Sequence, residues 1–426
     1  MHIKNIDFQN FKPFKRVNID LNASFNIIIG KNMSGKTSVL DGLSVAMGAF
    51  FLGMSGGTVK DIAKEDIHLN TYQYSLEEQT PVCIVAKGVV DGNHIEWNRE
   101  LHSIDKSKTT RYSASKIKNI AKKLNEQRQA GAAIKLPLLV YYPTSRNWRK
   151  IKEKNNKSEI TDIDSRKEGY KSWYNPDYSI QMVLEWFRDM QLATIQPNGK
   201  EASSKDSIEL KVLRTCIVNC IENAKDVFFD WKRKELSLEW QDDRKIPVSR
   251  LSHGVKNMFA IIADIAYRCL RLNPHLGLET AKETEGIILI DEIDAHLHPS
   301  WQLTIVDKLK KTFPKIQFIV TTHSPLIIGS ADVNELLILP ENLSEGNFKP
   351  EEKAYKGWQL QFILEQLMDS ESSYEVNIEP ILHSLSENFE KNDLENYQKN
   401  LVILKNLLNP NDAILKVYQM KLANLL

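Results

Sequence analysis

Two glycines, a lysine and a hydroxyl residue give residues 30–37 a chemistry of their own. Gly30-Lys31-Asn32-Met33-Ser34-Gly35-Lys36-Thr37 satisfies G-x-x-x-x-G-K-[ST] in full. The glycines let the backbone wrap tightly, so that loop N–H groups converge as an anion nest at a helix N-terminus. In such a loop Lys36 reaches the β- and γ-phosphates of a nucleoside triphosphate and Thr37 offers its hydroxyl to Mg²⁺. Residues 30–38, Ser38 included, are the expected nucleotide-binding segment. A second constellation is Asp291-Glu292, which ends an apolar run at 287–290. Asp291 is the expected Mg²⁺ ligand, through water, and Glu292 the expected base that orients and deprotonates the attacking water. His323 follows a third apolar run, 32 positions after Asp291. It is expected to hydrogen-bond the γ-phosphate.

These side chains need buried strands to deliver them. Residues 25–29 form a continuous apolar run that ends at Gly30, and a helix is expected over 37–51. The runs 287–290 and 316–320 flank a helical pattern at 299–312, which reads as a βαβ unit and hence a parallel sheet. Shorter strands are expected near 2–6 and 17–21, and 81–101 reads as a hairpin around Asp91-Gly92-Asn93. Residues 136–142 form another buried-strand candidate. Residues 255–272 and 356–426 read as helical. The fold class is α/β, and no repeat of solenoid period is present.

The three motifs together resemble the ATP-binding-cassette ATPase superfamily, in the branch that contains RecF, SMC heads and OLD-like proteins. The resemblance covers residues 1–50 and about 245–335. It implies a head with a mixed or parallel sheet around the phosphate loop. Leu251-Ser252-His253-Gly254-Val255-Lys256-Asn257 is similar to the family signature, usually L-S-G-G-Q. The resemblance then implies that Ser252 and the Gly254 N–H touch the γ-phosphate bound by an opposite subunit. His253 and Val255 depart from that pattern, as does Met33, where the family usually has glycine. Asp294 fits the family's D-loop, and His296 and His298 fit supporting or dimer-contact roles. Gln73 and Gln79 are candidates by position for the Q-loop glutamine.

Within this branch the run from Leu251 to Pro325 most resembles the ATPase subunit of Septu-type anti-phage systems and their retron-associated relatives. That resemblance implies hydrolysis of ATP to ADP and phosphate, with ATP and Mg²⁺ held in a homodimer or higher homo-oligomer. It also implies control of a separate HNH-type nuclease subunit. The same motifs fit a RecF- or SMC-like DNA-repair ATPase, or a non-hydrolysing scaffold around bound ATP. An intrinsic nuclease is not expected. No D-x-D motif follows Ser330, no HNH-like His cluster is present, and Asp162-Ile163-Asp164 reads as a solvated loop.

Composition places few limits on the 426 residues. The apolar share is 42%, the charged share 26% and the net charge +1, all ordinary for a globular protein. That balance hides a segregation: residues 103–157 carry a net +12 and residues 341–398 a net −9. The basic stretch has the density to neutralise nucleic-acid phosphates. The acidic one suits a basic partner or a second copy. Of the four cysteines, Cys216 and Cys220 share a helix face and read as core residues. No secretory signal is seen, and the longest apolar stretch falls short of the ~20 residues that span a membrane. The chain reads as cytoplasmic, with no membrane partner. The expected organisation is an N-terminal part of the ATPase head at 1–102, a basic helical and polar insertion at 103–245, a C-terminal part of the head at 246–340, and an acidic helical region at 341–426.

Overall fold

Strands covered on both faces carry mostly apolar sequence, and four such strands form the centre of this protein, with Asn26 and Gln317 as buried polar exceptions. The computed structural model describes residues 1–73, 75–103, 109–144, 166–174, 179–195, 207–368, 373–391, 393–407 and 413–423. The chain divides into two units, Met1–Trp358 and Gln359–Leu426.

Among the described residues the first unit has fifteen strands in chain order. They are β1 His2–Phe11, β2 Phe14–Asp20, β3 Phe25–Ile29, β4 His68–Thr71, β5 Leu76–Gln79, β6 Val82–Val90, β7 Asn93–Leu101, β8 Leu138–Tyr142, β9 Ala224–Asp230, β10 Glu235–Trp240, β11 Lys245–Pro247, β12 Gly286–Ile290, β13 Ile316–Thr321, β14 Leu336–Ile338 and β15 Glu345–Phe348. The central sheet has the order β14-β3-β13-β12-β8, and every pairing in it is parallel. All residues of β3, β8, β12 and β13 are buried. Parallel neighbours aim their C-terminal ends the same way, so Gly30, Asp291 and the residues after Thr321 emerge on one edge.

A second sheet, β15-β2-β1-β6-β7, covers the helix that follows the phosphate loop. That helix, Lys36–Gly48, has ten buried residues and packs between the two sheets. Trp97 on β7 ties it down by donating its indole N–H to the Ala46 carbonyl at 3.0 Å. The expected hairpin joins β6 to β7 through Asp91 and Gly92, both at positive φ (49° and 73°). Two such residues make the tight turn whose twist matches the strands. The βαβ unit is present. Its helical part is split into Pro299–Gln302 and Ile305–Thr312, because Thr304 leaves the helix at φ −118°.

The stretch expected as an insertion, 103–245, also supplies β8 to the central sheet and β9 and β10 to a three-stranded sheet. Its described helices are Ser115–Gln129, Ser179–Ile195 and Ile208–Cys220. Lys106, Lys108, Trp148, the basic residues from Arg146 to Lys157 and the Asp162–Asp164 motif lie outside the described residues. Residues 341–358, expected with the helical C-terminal region, contribute β15, which pairs parallel with β2 in the first unit. Cys216, Cys220 and Cys269 are buried, and burial pushes the Cys220 and Cys269 thiols up to about 11 and about 12. These thiols pack and do not react. No described helix is long and apolar enough to cross a membrane.

The second unit consists of helices Leu360–Leu367, Ser373–Glu390, Leu394–Leu407 and Ala413–Ala423. Leu385, Tyr397, Leu401, Leu404 and Leu415 form a core of its own. Leu404 is fully buried, so Leu404→Ala is expected to cost this unit about 2–5 kcal/mol. Calorimetry should show one transition shifted down while nucleotide binding by the first unit is unchanged.

Candidate active site

The phosphate loop starts where β3 ends. A Cβ on Gly30 would meet Ser34 Oγ at 2.5 Å and the Leu339 carbonyl at 2.6 Å, so only glycine allows the chain to turn there. Gly35 sits at φ 89°, a left-handed conformation that glycine adopts without strain, and the Phe14 ring closes over it. The loop thus delivers Lys36 as the first residue of a helix of thirteen, with the helix N–H groups facing the loop interior. Lys36 Nζ donates to the Gly30 and Lys31 carbonyls at 2.8 and 2.9 Å. Burial lowers its pKa, and the charges of Asp291 and Glu292 oppose that shift. Ser34 Oγ is buried without a partner among the described residues. An unmet hydroxyl and a lysine folded onto loop carbonyls fit a loop shaped for phosphate oxygens.

On the facing strand Asp291 is only 2% exposed. Its carboxylate accepts from three threonine hydroxyls: Thr37 at 3.0 Å, Thr144 at 2.6 Å and Thr321 at 2.5 Å. Its own N–H donates to the Tyr142 carbonyl at 2.9 Å. A buried carboxylate beside the loop threonine is an all-oxygen donor set, which suits Mg²⁺. Glu292 holds an uncommon positive φ of 49°, fixed by its N–H donating to Thr321 Oγ1 at 2.8 Å. Non-glycine residues in that region are strained and cluster at functional sites. The turn aims Glu292 into a cavity of about 290 Å³ whose wall also includes Lys36, Thr37, Asp291, His323 and Pro13.

The structure therefore brings together Asn32, Met33, Gly35, Lys36, Thr37, Ser38, Asp291, Glu292 and His323 around one space. Gly30, Lys31 and Ser34 shape the loop behind it. Ser252, Gly254 and Asp294 are not in its wall. Ser252 caps the helix His253–Leu272 by accepting from the Val255 N–H at 3.5 Å. Gly254 lies against the chain after Asp294: a Cβ there would come within 2.1 Å of the His296 carbonyl oxygen. Asp294 accepts from Thr322 Oγ1 at 2.6 Å, which ties the D-loop to the strand that precedes His323. His298 bonds Ser300 through Nδ1 at 2.8 Å and caps the next helix, so its role is local. Among the described residues no three His, Cys, Asp or Glu side chains converge as a metal set.

Gln79 lies in the β4–β5 ribbon and donates to the Glu77 carbonyl, and Gln73 lies at the ribbon's turn. Neither lines the cavity. Thr144 and Thr321 were not singled out by the motifs. The usable signal was position, because Thr144 follows the apolar run 138–142 just as Asp291 and His323 follow theirs.

A family model described as an AAA domain matches residues 5–236. The chain is 25% identical over 387 residues to a protein named retron Vc95 probable ATPase, from Vibrio cholerae serotype O1 biovar El Tor, covering 80% of this chain and 74% of that one. It is 25% identical to the Septu protein PtuA of Bacillus thuringiensis, covering 99% of this chain and 98% of that one. Among solved structures, the SMC head domain from Thermotoga maritima aligns with 83% of this chain and all of its own, at 15% identity and a TM-score of 0.43.

Thr144 acts on Asp291 and not on the loop. Thr144→Val is therefore expected to raise the Mg²⁺ concentration for half-maximal nucleotide-dependent activity by roughly tenfold, the scale of outer-shell losses at metal sites. Nucleotide affinity measured without metal should stay within about twofold of the parent.

Proposed function

This chain belongs to the AAA domain family, and from that premise we propose that it is an ATP- and Mg²⁺-dependent ATPase that closes as a dimer around nucleotide and controls a separate nuclease in anti-phage defence. One observation carries the hydrolytic part. The loop hydroxyl of Thr37 and the strand-end carboxylate of Asp291, 254 residues apart in sequence, meet at 3.0 Å with Glu292 on the same cavity wall. That is the arrangement a phosphoryl transfer to water needs.

The residues divide the work. Lys36 exchanges its loop carbonyls for phosphate oxygens, a trade between acceptors of similar distance but greater charge. When bound, Mg²⁺ neutralises charge on the phosphates, and Thr37 and Asp291 are the side chains that would hold it. Glu292 orients water and takes its proton. His323 donates to the terminal phosphate and is one residue from Thr322, which holds Asp294. Ser252 and the Gly254 N–H would cap a nucleotide held by a second copy. Their position outside the cavity of their own chain supports that trans role. Binding energy gained only in the closed pair makes ATP a switch between two states.

The names carried by the retron and Septu relatives support a role in defence. The separate HNH-type nuclease is the partner that the Septu resemblance of the sequence implies. The helix Ser115–Gln129 supports nucleic acid as a further ligand. It buries Ile117, Ala121 and Leu124 and exposes Lys116, Lys118, Lys122 and Lys123 on the other side, with Tyr112 90% exposed nearby.

Glu292→Gln is expected to lower ATP turnover by about 100-fold or more while ATP still binds, since a positioned base contributes on that scale. Light scattering should then show an ATP-dependent dimer that persists. Turnover equal to the parent would make Glu292 irrelevant to the chemistry, and a parent that binds ATP without turnover would be a scaffold. Co-expression with an adjacent nuclease gene should yield a complex, and failure to co-purify would remove the defence part.

A further inference from the structure

The end of β8 touches all three parts of the site. Neighbouring side chains on a strand point to opposite faces, and Tyr141 and Tyr142 use both. Tyr141 donates its hydroxyl to Asp41 at 3.2 Å, on the helix that begins with Lys36. Tyr142 donates to Asp264 Oδ2 at 2.7 Å, on the helix that begins behind Ser252. The Tyr142 backbone sits in register with Ile290, and its carbonyl takes the Asp291 N–H. Two residues on, Thr144 reaches the Asp291 carboxylate.

Asp264 belongs to a buried ionic group. It is 0% exposed and Arg268 is 2% exposed. Arg268 donates through Nε to Asp264 Oδ2 at 2.8 Å, and through Nη1 to the Gly169 and Lys171 carbonyls at 3.0 and 2.9 Å. Asp264 Oδ1 has no partner among the described residues. Buried pairs carry a large desolvation cost, and an incompletely satisfied one stabilises less than apolar packing of the same volume. Stability alone therefore does not account for charges here. Burial and the Asp264 charge push the Tyr142 phenol well above its usual range, so it remains a hydrogen-bond donor at any working pH.

We propose that the Tyr142–Asp264–Arg268 network couples the helix His253–Leu272 to the strand end that carries Asp291, so that engagement of Ser252 and Gly254 by a second copy's nucleotide is transmitted to the metal-holding carboxylate. Tyr142, Asp264 and Arg268 are positioning residues, and the proposal rests on the dimeric nucleotide reading above. Asp264 lies twelve residues after the N-cap Ser252, about 18 Å along a rigid rod. A displacement at the phosphate-facing end is carried to Asp264 by the helix as one body. Tyr142 must follow or release its bond. Because its own carbonyl holds the Asp291 N–H, following means moving the acid. Arg268, one turn further along the same face, anchors that end of the helix through its bonds to the carbonyls of Gly169 and Lys171.

Hydrogen–deuterium exchange of the full chain with Mg²⁺ and ATP tests this without requiring turnover. In the parent, ATP should slow exchange both in 36–48 and in 253–264. Tyr142→Phe removes one hydroxyl and should retain a melting temperature within a few degrees of the parent. It should keep the slowing at 36–48 but lose about fivefold of the slowing at 253–264, with kcat falling by a similar factor and KM for ATP within about twofold. Tyr141→Phe, the same change on the opposite face, should leave 253–264 protected. Arg268→Lys keeps the charge but gives up the carbonyl anchors, and reads the same coupling should the Tyr142 variant melt lower. Equal protection of both segments in parent and Tyr142→Phe overturns the proposal whether or not ATP is hydrolysed, as does an equal effect of Tyr141→Phe. ATP that protects 36–48 but not 253–264 in the parent also overturns it, with nucleotide binding intact. Protection nowhere in the parent overturns the nucleotide reading on which it rests.

Discussion

A single buried carboxylate holds this structure's chemistry in place. Asp291 accepts hydroxyl protons from Thr37, Thr144 and Thr321, which come from the phosphate loop and from the strands on either side of β12. A charge that deep in the protein is tolerable only when its lone pairs are met. Each of the three bonds therefore stabilises the anion and also fixes the spacing between two segments far apart in sequence. Remove the acid and the three threonines lose the one acceptor they share. The parallel sheet, the loop and the strained turn at Glu292 all converge on this point because the sheet's edge is the one place where their ends coincide.

The second constraint is backbone proximity. Gly30 and Gly254 each stand where a methyl group would strike a carbonyl oxygen, of Leu339 and of His296. One closes the phosphate loop. The other presses the start of the helix His253–Leu272 against the segment after Asp294, so the signature residues and the D-loop move as one body. Thr322 extends that body to the strand preceding His323. Groups named separately by motif are thus mechanically joined, so that a shift at one of them reaches the others.

Local chemistry was the legible part of the sequence. An anion nest needs only eight consecutive residues, and acids or histidines that end apolar runs advertise their position. The central sheet followed from the same runs. Thr144 was missed because its role depends on a strand pairing between residues 138–142 and 286–290, and a threonine after a strand has no distinctive local signature. The extent of the first unit was missed for a related reason. The acidic excess from 341 onward suggested a change of domain, yet charge reports on solubility and partners and not on fold. β15, with the sequence EGNF, has no apolar alternation and is held by its ladder to β2. The two-sided character of the basic helix at 115–129 was readable from its spacing, whereas the strands that follow it were partly hidden by the polar sequence between them.

The order of strands in the central sheet has a consequence for how the protein is made. β3, near the start of the chain, lies between β13 and β14, which are synthesised roughly 290 and 310 residues later. Long-range parallel pairing of this kind is slow, and domains emerge from the ribosome N-terminal end first. The phosphate loop is thus among the first segments made and among the last to find its neighbours. Until β12 and β13 are paired, Asp291, Glu292 and His323 do not face the loop, and a fragment that stops short of them lacks that wall of the cavity. On the function proposed above, the chain stays inert until residues 291–323 have been made and their strands have paired, by topology alone.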